Sequence, residues 1–195
     1  ISLSNFLRSS DISCPDCLKE AVKHASNPYH TFVLSTINEN FPETRTVVLR
    51  DVSISPFKIY FNADYRSNKV KELIENKNSS ALFYDKDRKV QVRMKCTAII
   101  NFQNDISLKK WKGTALQSRK CYMGPYAPST KLKDWHPNVP EEFIDSNPTL
   151  EKSQKGYDNF AHIELTVLEL DILKLRYNGH IRFKVEDEKI YHISP

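Results

Sequence analysis

Glycine is scarce in this sequence: four residues in 195, at Gly113, Gly124, Gly156 and Gly179. Scattered in this way, they cannot build a G-x-G-x-x-G turn or a P-loop, which excludes the two commonest glycine-built nucleotide sites. Long apolar runs are missing too. No stretch approaches the ~18 residues a membrane-crossing helix needs, so no membrane partner is expected. There is no heavy excess of one charge: 29 Lys and Arg face 24 Asp and Glu, net +5, and the signs alternate locally, as in Lys69-Val70-Lys71-Glu72. A dedicated nucleic-acid binder shows a concentrated basic stripe, so no nucleic-acid partner is expected either.

Cysteine is limited to Cys14, Cys17, Cys96 and Cys121. The C-x-x-C spacing of Cys14-Pro15-Asp16-Cys17 is compatible with zinc, with redox chemistry or with two ordinary free thiols. A zinc site needs two further ligands that the pattern does not supply, and His24, His30, His136, His162 and His192 show no metal spacing. No metal is expected. The first residues carry no basic-then-apolar leader, which makes the cytoplasm the expected location.

What is present is a core. Hydrophobic residues make up 39% of the chain, with ten Phe and nine Tyr. A chain of this length buries roughly two-thirds to three-quarters of its unfolded surface and needs no covalent staples. Residues 1–28 read as two short helices, with Leu18, Ala21, Val22 and Ala25 at helical spacing. From Tyr29 the period changes to two. Strands are expected over 31–37, 44–52 and 57–62, joined by short turns as an antiparallel meander. A helix over 66–76 follows, with Val70, Leu73 and Ile74 as its apolar stripe.

A strand over 80–84 leads to the clearest alternation in the chain. Val90, Val92, Met94, Cys96 and Ala98 face one way, and Gln91, Arg93, Lys95 and Thr97 the other. Residues 106–120 read as helical. Residues 124–158 form a long loop holding Pro125, Pro128, Pro137, Pro140 and Pro148; such a loop is a lid, a partner-binding arm or disordered. Strands over 160–170, 181–185 and 190–193 close the sequence. The expectation is one domain, 1–195, mainly β with flanking helices: an antiparallel barrel with helices outside.

Two stretches carry binding chemistry. Arg45 and Arg50 bracket Val47, Val48 and Leu49, placing permanently charged forks at both ends of a strand, where they meet phosphate, ring edge or plain solvent. Arg66, Ser67 and Lys69 crowd into the first turn of the expected helix, where unpaired N–H groups and the positive dipole end also point outward. That is an anion site made without glycine, or else an ordinary basic surface helix. Gln91, on the polar face of the best strand, both donates and accepts, as the edge of a heteroaromatic ring requires.

In order, Arg45-Thr-Val-Val-Leu-Arg50, Phe61-Asn-Ala-Asp, Arg66-Ser67-Asn68-Lys69 and Lys89-Val90-Gln91-Val92 resemble the pyridoxamine 5′-phosphate oxidase-like FMN-binding split-barrel family. The resemblance implies a six-stranded antiparallel split barrel and a homodimer with FMN at the subunit interface. By it, Arg45, Thr46, Val47, Val48, Leu49 and Arg50 lie along the flavin, Asn62 and Ala63 touch it, Arg66, Ser67 and Lys69 grip its phosphate, and Gln91 meets the ring. Ser118 and Arg119, in Gln117-Ser118-Arg119-Lys120-Cys121-Tyr122, complete the cleft from the second chain.

The substrate side departs from the true oxidase. Leu175 stands where its Trp is expected, and Ile181-Arg182-Phe183 replaces its Arg-x-His pair. The implied function is an FMN-dependent oxidoreductase with an unknown small-molecule substrate, in a divergent subgroup. The alternative is a non-catalytic flavin or haem store on the same barrel. Hydride transfer needs no protein nucleophile, so no catalytic residue is assigned.

Overall fold

The computed structural model describes residues 15–187 and 189–195. The expected first helix and Cys14 lie outside the described residues. Contacts divide the single expected domain into two compact units, interleaved along the chain. The first comprises residues up to Phe61, Asn76–Ile99 and Glu164–Pro195; the second comprises Asn62–Glu75 and Ile100–Ile163.

The first unit opens with helix α1 (Pro15–Lys23), whose Leu18 and Ala21 are buried. Strands follow: β1 (Thr31–Asn38), β2 (Phe41–Val48), β3 (Asp51–Ile54), β4 (Phe57–Asp64), β5 (Asn78–Asp85), β6 (Val90–Phe102), β7 (Phe160–Lys174), β8 (Ile181–Glu186) and β9 (Lys189–His192). The strand path runs β2-β1-β5-β6-β7-β4-β3, with β8 paired to β7 and β9 to β8. Nine strands are thus found among the described residues where the resemblance implied six. The class is as expected: mainly antiparallel β with flanking helices.

The expected strand over 44–52 is in fact two. Thr31 to Asn38 pair with Val48 to Phe41, whereas Asp51 to Ile54 pair with Tyr60 to Phe57. The change of partner falls between two neighbouring residues. The Leu49 N–H donates to His30 O at 2.9 Å, and the Arg50 N–H donates to Tyr60 O at 2.8 Å. The expected antiparallel meander is present, its middle stretch pairing with β1 through β2 and with β4 through β3, and because β2 and β3 are the two ends of the strand path this junction joins those ends through the chain.

The core of the first unit is built from the inward residues of alternating strands. Val90, Val92, Met94, Cys96 and Ala98 are all buried, as their period predicts, while Arg93 and Lys95 are exposed. Phe32 meets Phe61 edge-on at 6.1 Å and tilts against Phe83 at 4.9 Å, arrangements that add about 0.5–1.5 kcal/mol per pair beyond burial.

The second unit holds α2 (Asn68–Glu75), α3 (Asp105–Lys112), α4 (Leu116–Arg119) and α5 (Leu150–Ser153). α3 begins with a capping box, in which the Asn104 side chain accepts from Ser107 N–H and the Ser107 side chain accepts from Asn104 N–H. The stripe of α2 differs from expectation. Val70 and Leu73 are buried, but Ile74 is 56% exposed and Glu72 is buried instead. An eight-residue helix has room for only a narrow buried face. Trp111, wholly buried, sits at the centre of this unit with Tyr122, Tyr157 and Phe160 around it.

The long loop is pinned rather than loose. The Asn138 amide donates to Tyr126 O and accepts from Tyr126 N–H, Lys120 Nζ donates to Phe143 O and Ser146 O, and Asn159 donates to Tyr122 O. No described helix is long and apolar enough to cross a membrane.

Candidate functional site

In the second unit, β4 ends at Asp64 and the chain turns through Tyr65, Arg66 and Ser67 into α2. Asp64 builds this turn. Its carboxylate, 7% exposed, accepts from Arg66 N–H at 2.9 Å, from Arg66 Nε at 3.0 Å and from Arg66 Nη2 at 2.7 Å. Its carbonyl accepts from both Ser67 N–H and Ser67 Oγ. The Asp64 hydrogen bond raises the pKa of Arg66 above the ordinary guanidinium value, outweighing the opposing effect of burial. Arg66 Nη2 also donates to Gly124 O at 3.1 Å, so the guanidinium is fixed from two sides yet remains partly exposed.

Tyr65 stacks flat on Phe102, with ring centroids 3.6 Å apart and planes 6° from parallel, and its N–H donates to Asn159 O at 2.7 Å. Asn62 and Ala63 lie directly before the turn. His162, buried, is hydrogen bonded through Nδ1 to Asn62 Oδ1 at 2.8 Å. Lys69 stands half-buried in the first turn of α2, where backbone N–H groups lack intrahelical acceptors. A fixed guanidinium, an ammonium and a helix start within four residues form a donor set that fits a phosphomonoester.

Two residues of the expected set are placed differently. Ser67 is 1% exposed and its hydroxyl is turned inward to Asp64, so it shapes the turn. Arg119 is 2% exposed and serves as an internal brace. Its Nε donates to Thr114 O at 3.0 Å, Nη1 to Ser153 Oγ at 3.0 Å, and Nη2 to Trp111 O at 2.8 Å and Lys112 O at 3.2 Å. The guanidinium also lies 4.7 Å from the centroid of the Trp111 ring, and burial lowers its pKa. It adds side-chain donors to the carbonyls at and after the end of α3, and these bonds engage its guanidinium inside the protein. Ser118, beside it, is half-buried.

In the first unit, the closing segment alternates. Val47 and Leu49 are buried, whereas Thr46 and Arg50 are exposed and Val48 is half-buried. Val47 and Leu49 therefore have only backbone to offer a ligand. Arg45 donates to Thr36 Oγ1. Gln91 is half-buried opposite Tyr84.

The outer face of β6, β7 and β8 carries a charge ladder beside a cavity of about 400 Å³. Asp171 accepts from Arg182 Nε at 3.1 Å and Nη2 at 2.9 Å and pairs with Arg93; Glu169 pairs with Lys95 and Lys184, each at 3.0 Å. Burial alone would raise both carboxyl pKa values, but the hydrogen bonds and charges of these cations together hold them below the ordinary range. Arg182, left open by the sequence, is thus the partner of Asp171. Among the described residues no cluster could hold a metal ion.

Residues 14–113 match the pyridoxamine 5′-phosphate oxidase FMN-binding domain. The chain belongs to that family. FMN is the cofactor of the family's domain, and the Arg66–Lys69 donor set suits the phosphate it carries. No curated protein matches the chain.

Among solved structures it is similar to a pyridoxamine 5′-phosphate oxidase-related, FMN binding protein from Nostoc punctiforme PCC 73102, at 19% identity and TM-score 0.68, covering 91% of this chain and 93% of that one. It is also similar to PhzG from Burkholderia lata 383 in complex with tetrahydrophenazine-1-carboxylic acid, at 16% identity and TM-score 0.62, covering 85% and 82%. A general stress protein 26-related protein from Clostridium acetobutylicum follows at 14% identity and TM-score 0.51, covering 88% and 96%. At these identities the likeness establishes the split-barrel fold.

Sequence reasoning missed the stack of Tyr65 on Phe102 and the support that His162 gives Asn62. The first had a signal in the aromatic beside Arg66. The second had none, because its partners are 100 residues apart.

Proposed function

We propose that the chain is an FMN-dependent oxidoreductase that acts as a homodimer in the cytoplasm on a small-molecule substrate. The observation that supports this most is the Asp64-braced Arg66, with Lys69 one helical turn away, inside the segment that matches an FMN-binding domain. Arg66, Lys69 and the start of α2 hold the phosphate, and Ser67 sets the turn that aims them. Asn62, kept in place by His162, and Ala63 line the approach.

The segment from Arg45 to Arg50 presents Thr46, Val48 and Arg50 side chains and the backbone of Val47 and Leu49 to the ring, with Arg45 at its far end. Gln91 meets the ring edge. Ser118 reaches the cleft from the second subunit. When bound, FMN supplies a two-electron carrier whose reduced ring bears negative charge. Arginine and amide donors fixed before reduction stabilise that charge without reorganising.

The test is the visible spectrum of the purified or FMN-reconstituted protein. A flavin band that disappears in the Arg66→Ala/Lys69→Ala variant supports the reading; a folded protein that takes up no FMN refutes it. Anaerobic titration with NAD(P)H then separates turnover from storage. A flavin that neither NAD(P)H nor common donors reduce identifies a store.

A further inference from the structure

The charge ladder on the outer face of the first unit holds more donors than it uses. Asp171 and Glu169, with side chains 5% and 13% exposed, lie between Arg93 and Lys95 on β6 and Arg182 and Lys184 on β8. Asp171 accepts from Nε and Nη2 of Arg182 and from Arg93, and Glu169 accepts from Lys95 and Lys184. A guanidinium carries five N–H groups and an ammonium three. Among the described residues Arg93 donates through Nη2 alone, and Lys95 and Lys184 each reach one carboxylate oxygen. The acceptors are filled and the donors are not. Each buried carboxylate thus does for two cations what Asp64 does for Arg66: it fixes their direction and leaves donors over.

All four cations border the cavity of about 400 Å³, which is lined entirely by residues of the first unit. Strand register arranges its wall. Lys95 stands opposite Ser80 and Ser80 opposite Ser35, so two hydroxyls share a row with the ammonium. Arg93 stands opposite Leu82, which sets an apolar surface beside the guanidinium. Arg93 is 50% exposed and Lys95 66% exposed, so their remaining donors are open to a ligand. Four cations and two carboxylates line the space, an excess of two positive charges. A concave surface with surplus donors and surplus positive charge draws a group that only accepts and is itself charged. The volume lies at the small end of the range that holds organic ligands.

We propose that this cavity binds a small organic dianion, a phosphate monoester or a dicarboxylate, whose body lies against Leu82. Its anionic oxygens accept from the remaining N–H groups of Arg93, from the Lys95 ammonium and from the hydroxyls of Ser80 and Ser35. Arg182 and Lys184 supply the rest of the positive field, and Asp171 and Glu169 hold all four cations in place before the ligand arrives. The planar fork of Arg93 suits the paired oxygens of a phosphate and of a carboxylate alike. The cavity shares no residue with the Arg66–Lys69 donor set, so the inference does not rest on the flavin reading.

The experiment is calorimetric titration of the full chain with phenyl phosphate, with phthalate and with the monoanion benzoate. It is run on FMN-saturated protein and on the Arg66→Ala/Lys69→Ala variant, so that phosphate taken up at Arg66 and Lys69 is not counted. The expected result is saturable binding of one dianion per chain, about tenfold tighter than benzoate, and the stronger of the two dianions tells phosphate from carboxylate chemistry. Arg93→Gln leaves Asp171 paired with Arg182, and Lys95→Gln leaves Glu169 paired with Lys184, so both variants keep the ladder's buried charges partnered. Each is expected to weaken dianion binding about tenfold with its melting temperature near that of wild type. Lys152→Gln, which removes the exposed partner of Glu142 in the second unit, is expected to leave binding unchanged. Absence of saturable binding at millimolar concentrations, affinity no better than that of benzoate, or full affinity in both Arg93→Gln and Lys95→Gln overturns the proposal. FMN uptake, measured separately on wild type, bears only on the proposed cofactor role.

Discussion

Asp64 grips Arg66, two residues on, through three hydrogen bonds: the backbone amide, Nε and Nη2 of Arg66 all donate to its carboxylate. One side chain thus caps a turn and aims a cation. Asp64→Ala is expected to cost about 1–2 kcal/mol of stability, the range for a lost cap and its bonds, and to weaken FMN binding about tenfold. Asp64→Asn keeps an acceptor for the Arg66 amide, so it should recover most of the stability but little of the affinity. Thermal melting and flavin-fluorescence titration of the two variants separate these effects.

Arg119 is expected to matter for folding rather than for flavin. Its removal takes a donor from the carbonyls of Trp111, Lys112 and Thr114 and from the Ser153 hydroxyl inside the second unit, although Trp111 O keeps the Thr114 N–H and Ser153 Oγ keeps its bond to Leu150 O. Arg119→Met should lower stability by about 3 kcal/mol, and Arg119→Lys should rescue little because an ammonium cannot span the same acceptors. Urea denaturation checks both.

Asp171 predicts an acid-sensitive contribution to stability. Its folded pKa lies below the unfolded value, because Arg182 and Arg93 overcome the effect of burial. The stabilisation is therefore complete above the unfolded carboxyl value of about 4 and is lost as pH falls through the folded one. Glu169, held down by Lys184 and Lys95, adds to the same window. Asp171→Asn should be less stable than wild type at neutral pH, and the gap should close as pH falls below about 4. Melting temperatures from pH 7 down to acid test this.

Gly124 has no room for a side chain. A Cβ there would lie 2.2 Å from Asn138 O and 2.6 Å from Asn138 Oδ1. Gly124→Ala should displace the turn that Asn138 makes with Tyr126, disturb the carbonyl that receives Arg66, and cost about 1–3 kcal/mol. Faster limited proteolysis within 124–138 is the expected readout.

Local patterns in the sequence foretold the local structure. The period of β6 was visible because its inward residues are uniformly apolar and its outward ones polar, and the Arg66–Lys69 cluster was visible because its parts are adjacent. The split of the expected strand 44–52 left no mark. No glycine or proline lies between Val48 and Asp51, and only the identity of the acceptors, His30 O and Tyr60 O, reveals the change. Arg119 lies elsewhere than the resemblance implies for a related reason. The resemblance places it in the cleft of a second chain, whereas it is buried here and Ser153, one of the groups that enclose it, lies 34 residues away. Ile74 and Glu72 exchanged places because helical period alone cannot say how wide a buried face eight residues will present.

The junction at Leu49 and Arg50 acts as a seam. Two consecutive amides carry hydrogen bonds that face different neighbours, so neither half of the ring can unzip past this point without the other losing its anchor. Their exchange with deuterated solvent reports directly on opening of the ring, and both protons should exchange together and among the slowest in the chain. During folding the same pair can lock only after β4 has been threaded against β3, which makes ring completion a late event, governed by the meeting of distant segments.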